Sequence, residues 1–141
     1  METTAVPGGP LYSPRQIFWA TFFGGPFALT WLLARNFNAL ARPAEARQYS
    51  VIGVLASLAL LVALVMLPGN LSVAVFIGLA FGGERLARER QFGGAKKPPA
   101  DALIHSNWRA VGNTVLCFVI WMVVVVVAIV AIEAAGYKIP S

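Results

Sequence analysis

Apolar residues along this chain fall into four runs, separated by shorter polar stretches rich in Gly and Pro. The longest run, residues 113–132, reads NTVLCFVIWMVVVVVAIVAI and carries no charge over twenty residues. As a helix rising about 1.5 Å per residue it is about 30 Å long, the thickness of a bilayer's hydrocarbon core. A chain of 141 residues cannot bury such a helix on all sides. The pattern therefore predicts that its solvent is lipid.

The first run starts sharply. Ser13 is a good N-cap, Pro14 suits the first helical position, and Gln16 stands at capping-box spacing. Apolar residues then extend over 17–34, with Gly24, Gly25 and Pro26 in the middle. Pro26 has no N–H for the carbonyl of Phe22, so a kink at Gly25–Pro26 is expected. Ala20, Gly24 and Ala28 stand four apart, a stripe that lets another backbone come close. The second run, 51–67, repeats that spacing at Gly53 and Ser57 and stops at Pro68. So short a turn predicts a helical hairpin with the third run.

The third run is the weakest. Residues 71–83 give only about 20 Å of apolar helix; either the good helix formers of residues 84–92 continue it, with Arg85 and Arg88 reaching to headgroups, which is the favoured reading, or the run is a re-entrant or half-depth segment. Ala74, Gly78 and Gly82 form a further small-residue face, including a GxxxG. Residues 93–99 read as a linker, and residues 100–109 as a short interfacial helix with Leu103 and Ile104 in lipid. The expected fold is all-α: an integral membrane bundle of four transmembrane helices (about 15–35, 51–67, 71–92 and 108–132), the third extending into the cytoplasm. Residues 1–13 and 133–141 are polar tails.

Composition agrees. Charged residues make up 12% of the chain, about half the share in soluble domains. The net charge of +5 is spread between the apolar runs, which favours anionic headgroups and argues against nucleic acid. The first connecting segment carries Arg35, Arg42 and Arg47; the third carries Arg85, Arg88, Arg90, Lys96, Lys97 and Arg109. Four spans then place both basic segments inside and both termini outside a bacterial cytoplasmic (inner) membrane. The first fourteen residues hold no Lys or Arg, so an uncleaved tail is expected rather than a signal peptide.

Candidate chemistry is sparse. Glu84 abuts the third run and has Arg85, Arg88 and Arg109 as prospective partners. His105, Ser106, Asn107, Trp108 and Arg109 form a polar cluster with two readings. It could grip a lipid phosphate or a partner's carboxylate, with Arg109 as the fork and His105 as the titrating group. Alternatively Trp108 anchors the interface and Ser106 or Asn107 caps the helix. Asn113 and Thr114, one turn inside the last run, suit a hydrogen bond to a neighbouring helix or a permeation path. The Gly25–Pro26 kink suits tight packing, or a substrate site of the kind that broken helices form in transporters. Cys117 is the sole cysteine; this excludes an intrachain disulfide, and the residue is expected to pack as a small hydrophobe. One His and no paired acids or activated nucleophile give no expectation of a metal, a cofactor or an enzyme.

The strings SPRQIFWATFFGGPFALTWLLARNFNAL and SNWRAVGNTVL resemble small bacterial multi-pass membrane proteins of unassigned function, a likeness that brings no activity with it. Small multidrug-resistance transporters are similar in size but need a carboxylate within the first span, and 17–34 has none. Small dimeric fluoride channels are similar in length, but their polar track of Asn, Thr or Ser and Phe has no match. The leading expectation is a non-enzymatic membrane subunit or assembly protein. It would associate with a membrane protein partner or itself through Ala20/Gly24/Ala28, Gly53/Ser57 and Ala74/Gly78/Gly82. The alternatives are a small transporter or channel with a site near Gly24–Gly25–Pro26, and a membrane immunity or exclusion factor.

Overall fold

The computed structural model describes residues 9–66, 69–95, 98, 100 and 102–136. The turn at Pro68, the linker lysines 96 and 97, and the tails 1–8 and 137–141 lie outside them. The described chain is all-helical: α1 Pro14–Ala39, α2 Pro43–Met66, α3 Gly69–Gln91 and α4 Asn107–Ala134. By length and composition α1, α2 and α4 are apolar enough to cross a membrane.

The expected capping box is present at the start of α1. The Ser13 hydroxyl accepts from the Gln16 backbone at 3.2 Å, and the Gln16 side chain accepts from the Ser13 N–H at 3.0 Å. At Gly25 the helix breaks, with φ 70° and ψ −165°. Two constraints meet here. Pro26 disfavours the helical region for the residue before it, and only glycine enters this part of backbone space cheaply. The break is a reversal rather than the expected kink. The Asn36 side chain accepts from the Tyr12 backbone N–H at 2.7 Å and donates to the Tyr12 carbonyl at 2.8 Å. In an unbroken helix, residues so spaced would stand about 36 Å apart. α1 is thus two antiparallel arms, Pro14 to Gly24 and Pro26 to Ala39, of about 16 and 21 Å. Gly24 lets them close, because a Cβ there would lie 2.7 Å from that of Ala28.

This hairpin is the hub. Among the described residues every extensive helix–helix contact involves α1, and α2, α3 and α4 barely meet one another. Gly53 of α2 rides on Thr30, where a Cβ would run into the Thr30 hydroxyl oxygen. Ser57 and Leu61 continue that buried face. α3 packs through Ala80, Gly83 and Ala87, with Gly83 against Leu29. α4 packs through Ala110, Cys117 and Trp121, so Cys117 is the buried small hydrophobe expected of it. The outer faces of α2 and α4 are large apolar side chains left exposed, as lipid-facing surfaces are.

Three expectations change. α2 begins at Pro43, eight residues before the apolar run, because Pro43 and Glu45 suit a first turn and Phe37 stacks on Tyr49 at 4.8 Å. Within the stretch expected as one helix over residues 100–109, residues 102–106 are instead an extended strap and α4 begins only at Asn107. Leu11 donates to the Leu103 carbonyl at 2.7 Å and accepts from the His105 N–H at 2.9 Å, because both backbone groups of Leu11 need partners just before α1. Finally, the reversal brings Leu11 and Tyr12 to the same end as Asn36, Ala41 and His105, with the end of α4 at the far end. Residues 9–13 and the first connecting segment therefore lie at one end of the bundle, where a straight first helix would put them at opposite ends.

Replacing Gly25 by Ala should destabilise the protein by roughly 1–3 kcal/mol, the cost of holding a side chain in this conformation. A melting temperature in detergent that is equal to the parent's would show the break is unstrained.

Candidate functional site

The polar residues of this chain converge at the end of the bundle where the two arms of α1 meet α3 and α4. Asn36 is at the centre and is 1% exposed. Besides its two bonds to Tyr12, its amide donates to the Gln91 side-chain oxygen at 2.8 Å, and Gln91 donates to the Leu33 carbonyl at 3.0 Å. Two buried amides are thereby satisfied by each other and by the backbone, which low-dielectric surroundings demand. The Tyr12 hydroxyl accepts from Asn113 at 2.6 Å, and its ring lies 4.2 Å from that of His105. Gln16 donates to the His105 carbonyl at 2.8 Å and to the Asn107 side chain at 2.9 Å. One network thus joins both arms of α1, the end of α3, the strap and the start of α4.

Of the residues singled out from sequence, His105, Asn107 and Asn113 are brought together here. Asn113 bonds Tyr12 in the segment before α1, and Thr114 bonds the Ala110 carbonyl of its own helix at 2.8 Å. Ser106 caps α4 by accepting from the Arg109 N–H. Trp108, 85% exposed, and Arg109 point outward. Glu84, Arg85 and Arg88 are not part of the cluster. Arg88 pairs with Glu84 at 2.5 Å and Arg85 with Glu89 at 2.8 Å, both four apart along α3. Pairs of this kind contribute at most about 1 kcal/mol where exposed.

Sequence reading missed Tyr12, Asn36 and Gln91. A signal existed: Asn36 follows Leu32 and Leu33 by four and three positions, so it lies on their buried face rather than at a wet helix end. Gln91 stands four past Ala87 in the same way.

The break itself lies among aromatic carbons. A Cβ on Gly25 would meet Phe76 at 3.5 Å and Trp121 at 3.6 Å. Beside it, a cavity of about 110 Å³ is lined by Phe27, Leu58, Ile120 and Trp121 among others, and the nearby Ser57 hydroxyl donates to the Gly53 carbonyl. The small-residue faces divide into two classes. Ala20, Gly24, Ala28, Gly53 and Ser57 are used inside the chain, whereas a Cβ on Gly78 or Gly82 would meet nothing within 4 Å among the described residues and Ala74 is exposed.

No three His, Cys, Asp or Glu side chains cluster among the described residues in a way that could hold a metal. Comparison with protein-family models, curated proteins and solved structures gives no match.

His105 is held below its ordinary value of 6.5, first by burial, then by the charges of Arg109 and Arg35. The folded state therefore binds this proton less readily than the unfolded chain, so the stability involved is full above about pH 6.5 and declines as pH falls. His105→Phe keeps a ring on Tyr12 but cannot titrate. Its melting temperature should fall less than the parent's between pH 7 and 5; identical pH profiles would remove His105 from the account.

Proposed function

We propose that this chain is a non-enzymatic integral membrane subunit of the bacterial cell envelope that docks a transmembrane helix of a partner protein on the outer face of α3. The observation that carries this reading is the open Ala74–Gly78–Gly82 face, flanked by exposed Val73 and Ile77. The other small-residue faces serve contacts within the chain; at this one a Cβ on Gly78 or Gly82 would meet nothing within 4 Å among the described residues. Among the described residues, α3 is also not one of the helices apolar enough to cross a membrane by length and composition. A helix that is poorly matched to lipid and lets a backbone approach is better covered by protein than by acyl chains. A partner helix with small residues of its own would fit this face.

In this reading α2, α3 and α4 cross the bilayer and α1 is a re-entrant hairpin reaching about half its depth. Gly24, Gly25 and Pro26 at the break are buried in protein, and Thr30 donates to the Pro26 carbonyl at 2.9 Å; burial in protein is the condition under which irregular backbone is tolerated at that depth. All eight arginines belong to segments at the network end: Arg15, Arg35, Arg42, Arg47, Arg85, Arg88, Arg90 and Arg109. That end is assigned to the cytoplasm of the inner membrane, with the C-terminus outside.

The double substitution Gly78→Leu, Gly82→Leu separates docking from folding. Leu is a better helix former by about 1 kcal/mol per site, and its Cβ meets nothing within 4 Å among the described residues at either position, so thermal stability should hold or rise. A stoichiometric partner recovered with the parent protein in mild detergent should be lost. Gly53→Leu, by contrast, drives a side chain into Thr30 and should unfold the protein. Retention of the partner by the double variant, or a parent protein that elutes as a lone monomer, contradicts the docking assignment. A parent that elutes as a homodimer assigns the face to a second copy instead.

A further inference from the structure

A groove of about 670 Å³ runs between the first arm of α1 and the start of α4, opening sideways from the bundle. Its mouth carries Arg15, Gln16 and Asn107, and its walls are Trp19, Phe23, Val115 and Phe118. We infer that this groove binds one anionic phospholipid, with its phosphate at Arg15 and an acyl chain along the walls.

Charge supports an anion. Arg15 is exposed, and among the described residues it forms no ion pair and no acid lines the groove. Glu45, Glu84 and Glu89, the acids described at this end, are each taken by another arginine. His105, whose carbonyl bonds Gln16 at the mouth, is held below its ordinary value first by burial and then by the charges of Arg109 and Arg35. The mouth also has a spare donor. Asn107 receives the Gln16 amide on its side-chain oxygen, and this leaves its NH₂ for a phosphate oxygen.

Depth supports a lipid over a helix. The first arm of α1 ends at Gly24, about 16 Å from its start, so the groove is one leaflet deep. An acyl chain of that leaflet ends where the wall ends, whereas a spanning helix would run on past the bend with only α4 beside it. Thr114 lines the groove, but its hydroxyl is turned to the Ala110 carbonyl, so below the mouth the lining is apolar. The volume falls in the range of ligand sites that enclose most of a small amphiphile.

The test uses the full chain in vesicles of equal parts phosphatidylglycerol and phosphatidylcholine, with a photo-crosslinking benzoyl side chain in place of Val115. A matched protein carries it at Val126, exposed on α4 beyond the bend. Irradiation followed by intact mass should give a one-to-one phosphatidylglycerol adduct at Val115, enriched about fivefold over phosphatidylcholine, the effect of one interfacial cation. Val126 should report the bulk ratio. Arg15→Gln should abolish the enrichment and Arg15→Lys should keep most of it. Equal lipid ratios at the two positions, enrichment that survives Arg15→Gln, or a protein adduct at Val115 overturns the assignment.

Discussion

The constraint on which the structure depends is that a chain reversing direction inside an apolar bundle must still satisfy its polar groups. Gly25 and Pro26 make the reversal accessible; they do not make it stable. Stability comes at the open end of the hairpin, where Asn36 takes both backbone groups of Tyr12 and hands its remaining donor to Gln91. Without that amide, the Tyr12 N–H and carbonyl would be buried unpaired, at about 1–3 kcal/mol each. One side chain thus closes α1 on itself and fixes α3 to it.

Everything else is arranged around the closed hairpin. Its arms are narrow because small residues line the bend, and its neighbours approach closely because each offers a small residue at the contact: Gly53 to Thr30 and Gly83 to Leu29. The helices around it need little contact with one another, which leaves clefts between them. The groove beside α4 follows from this geometry, since α1 fills the centre of the bundle for only part of the length of α4. The strap at Leu103 to His105 completes the polar end by pairing with Leu11, and it delivers Ser106 to cap α4.

Local features were legible in the sequence. The capping box at Ser13, the extension of α3 through Gln91, the cap before α4 and the packing of Cys117 all follow from residue type and spacing. Features that depend on partners distant in sequence were not. Gly-Gly-Pro permits a kink or a reversal, and the choice is made by Asn36 meeting Tyr12. Likewise GxxxG identifies Gly78 and Gly82, but the face of α3 turned to the bundle is set by Leu29, which selects Gly83. One residue of offset, about 100° around the helix, exchanges an inward face for an outward one. The grouping of positive charge depends on the same choice: a straight first helix separates Arg15 from Arg35, and a folded one brings them to one end of the bundle.

The most direct test of this account is the sidedness of single cysteines at Gly9, Ala41, Ala95 and Ala135, introduced in a Cys117→Ala background and labelled with an impermeant thiol reagent in sealed, oriented vesicles. The folded-back α1 predicts that Gly9, Ala41 and Ala95 label from one side and Ala135 from the other. Labelling of Gly9 from the side opposite Ala41 would mean that α1 crosses the membrane as a single helix, and the hairpin at the centre of the account would be wrong.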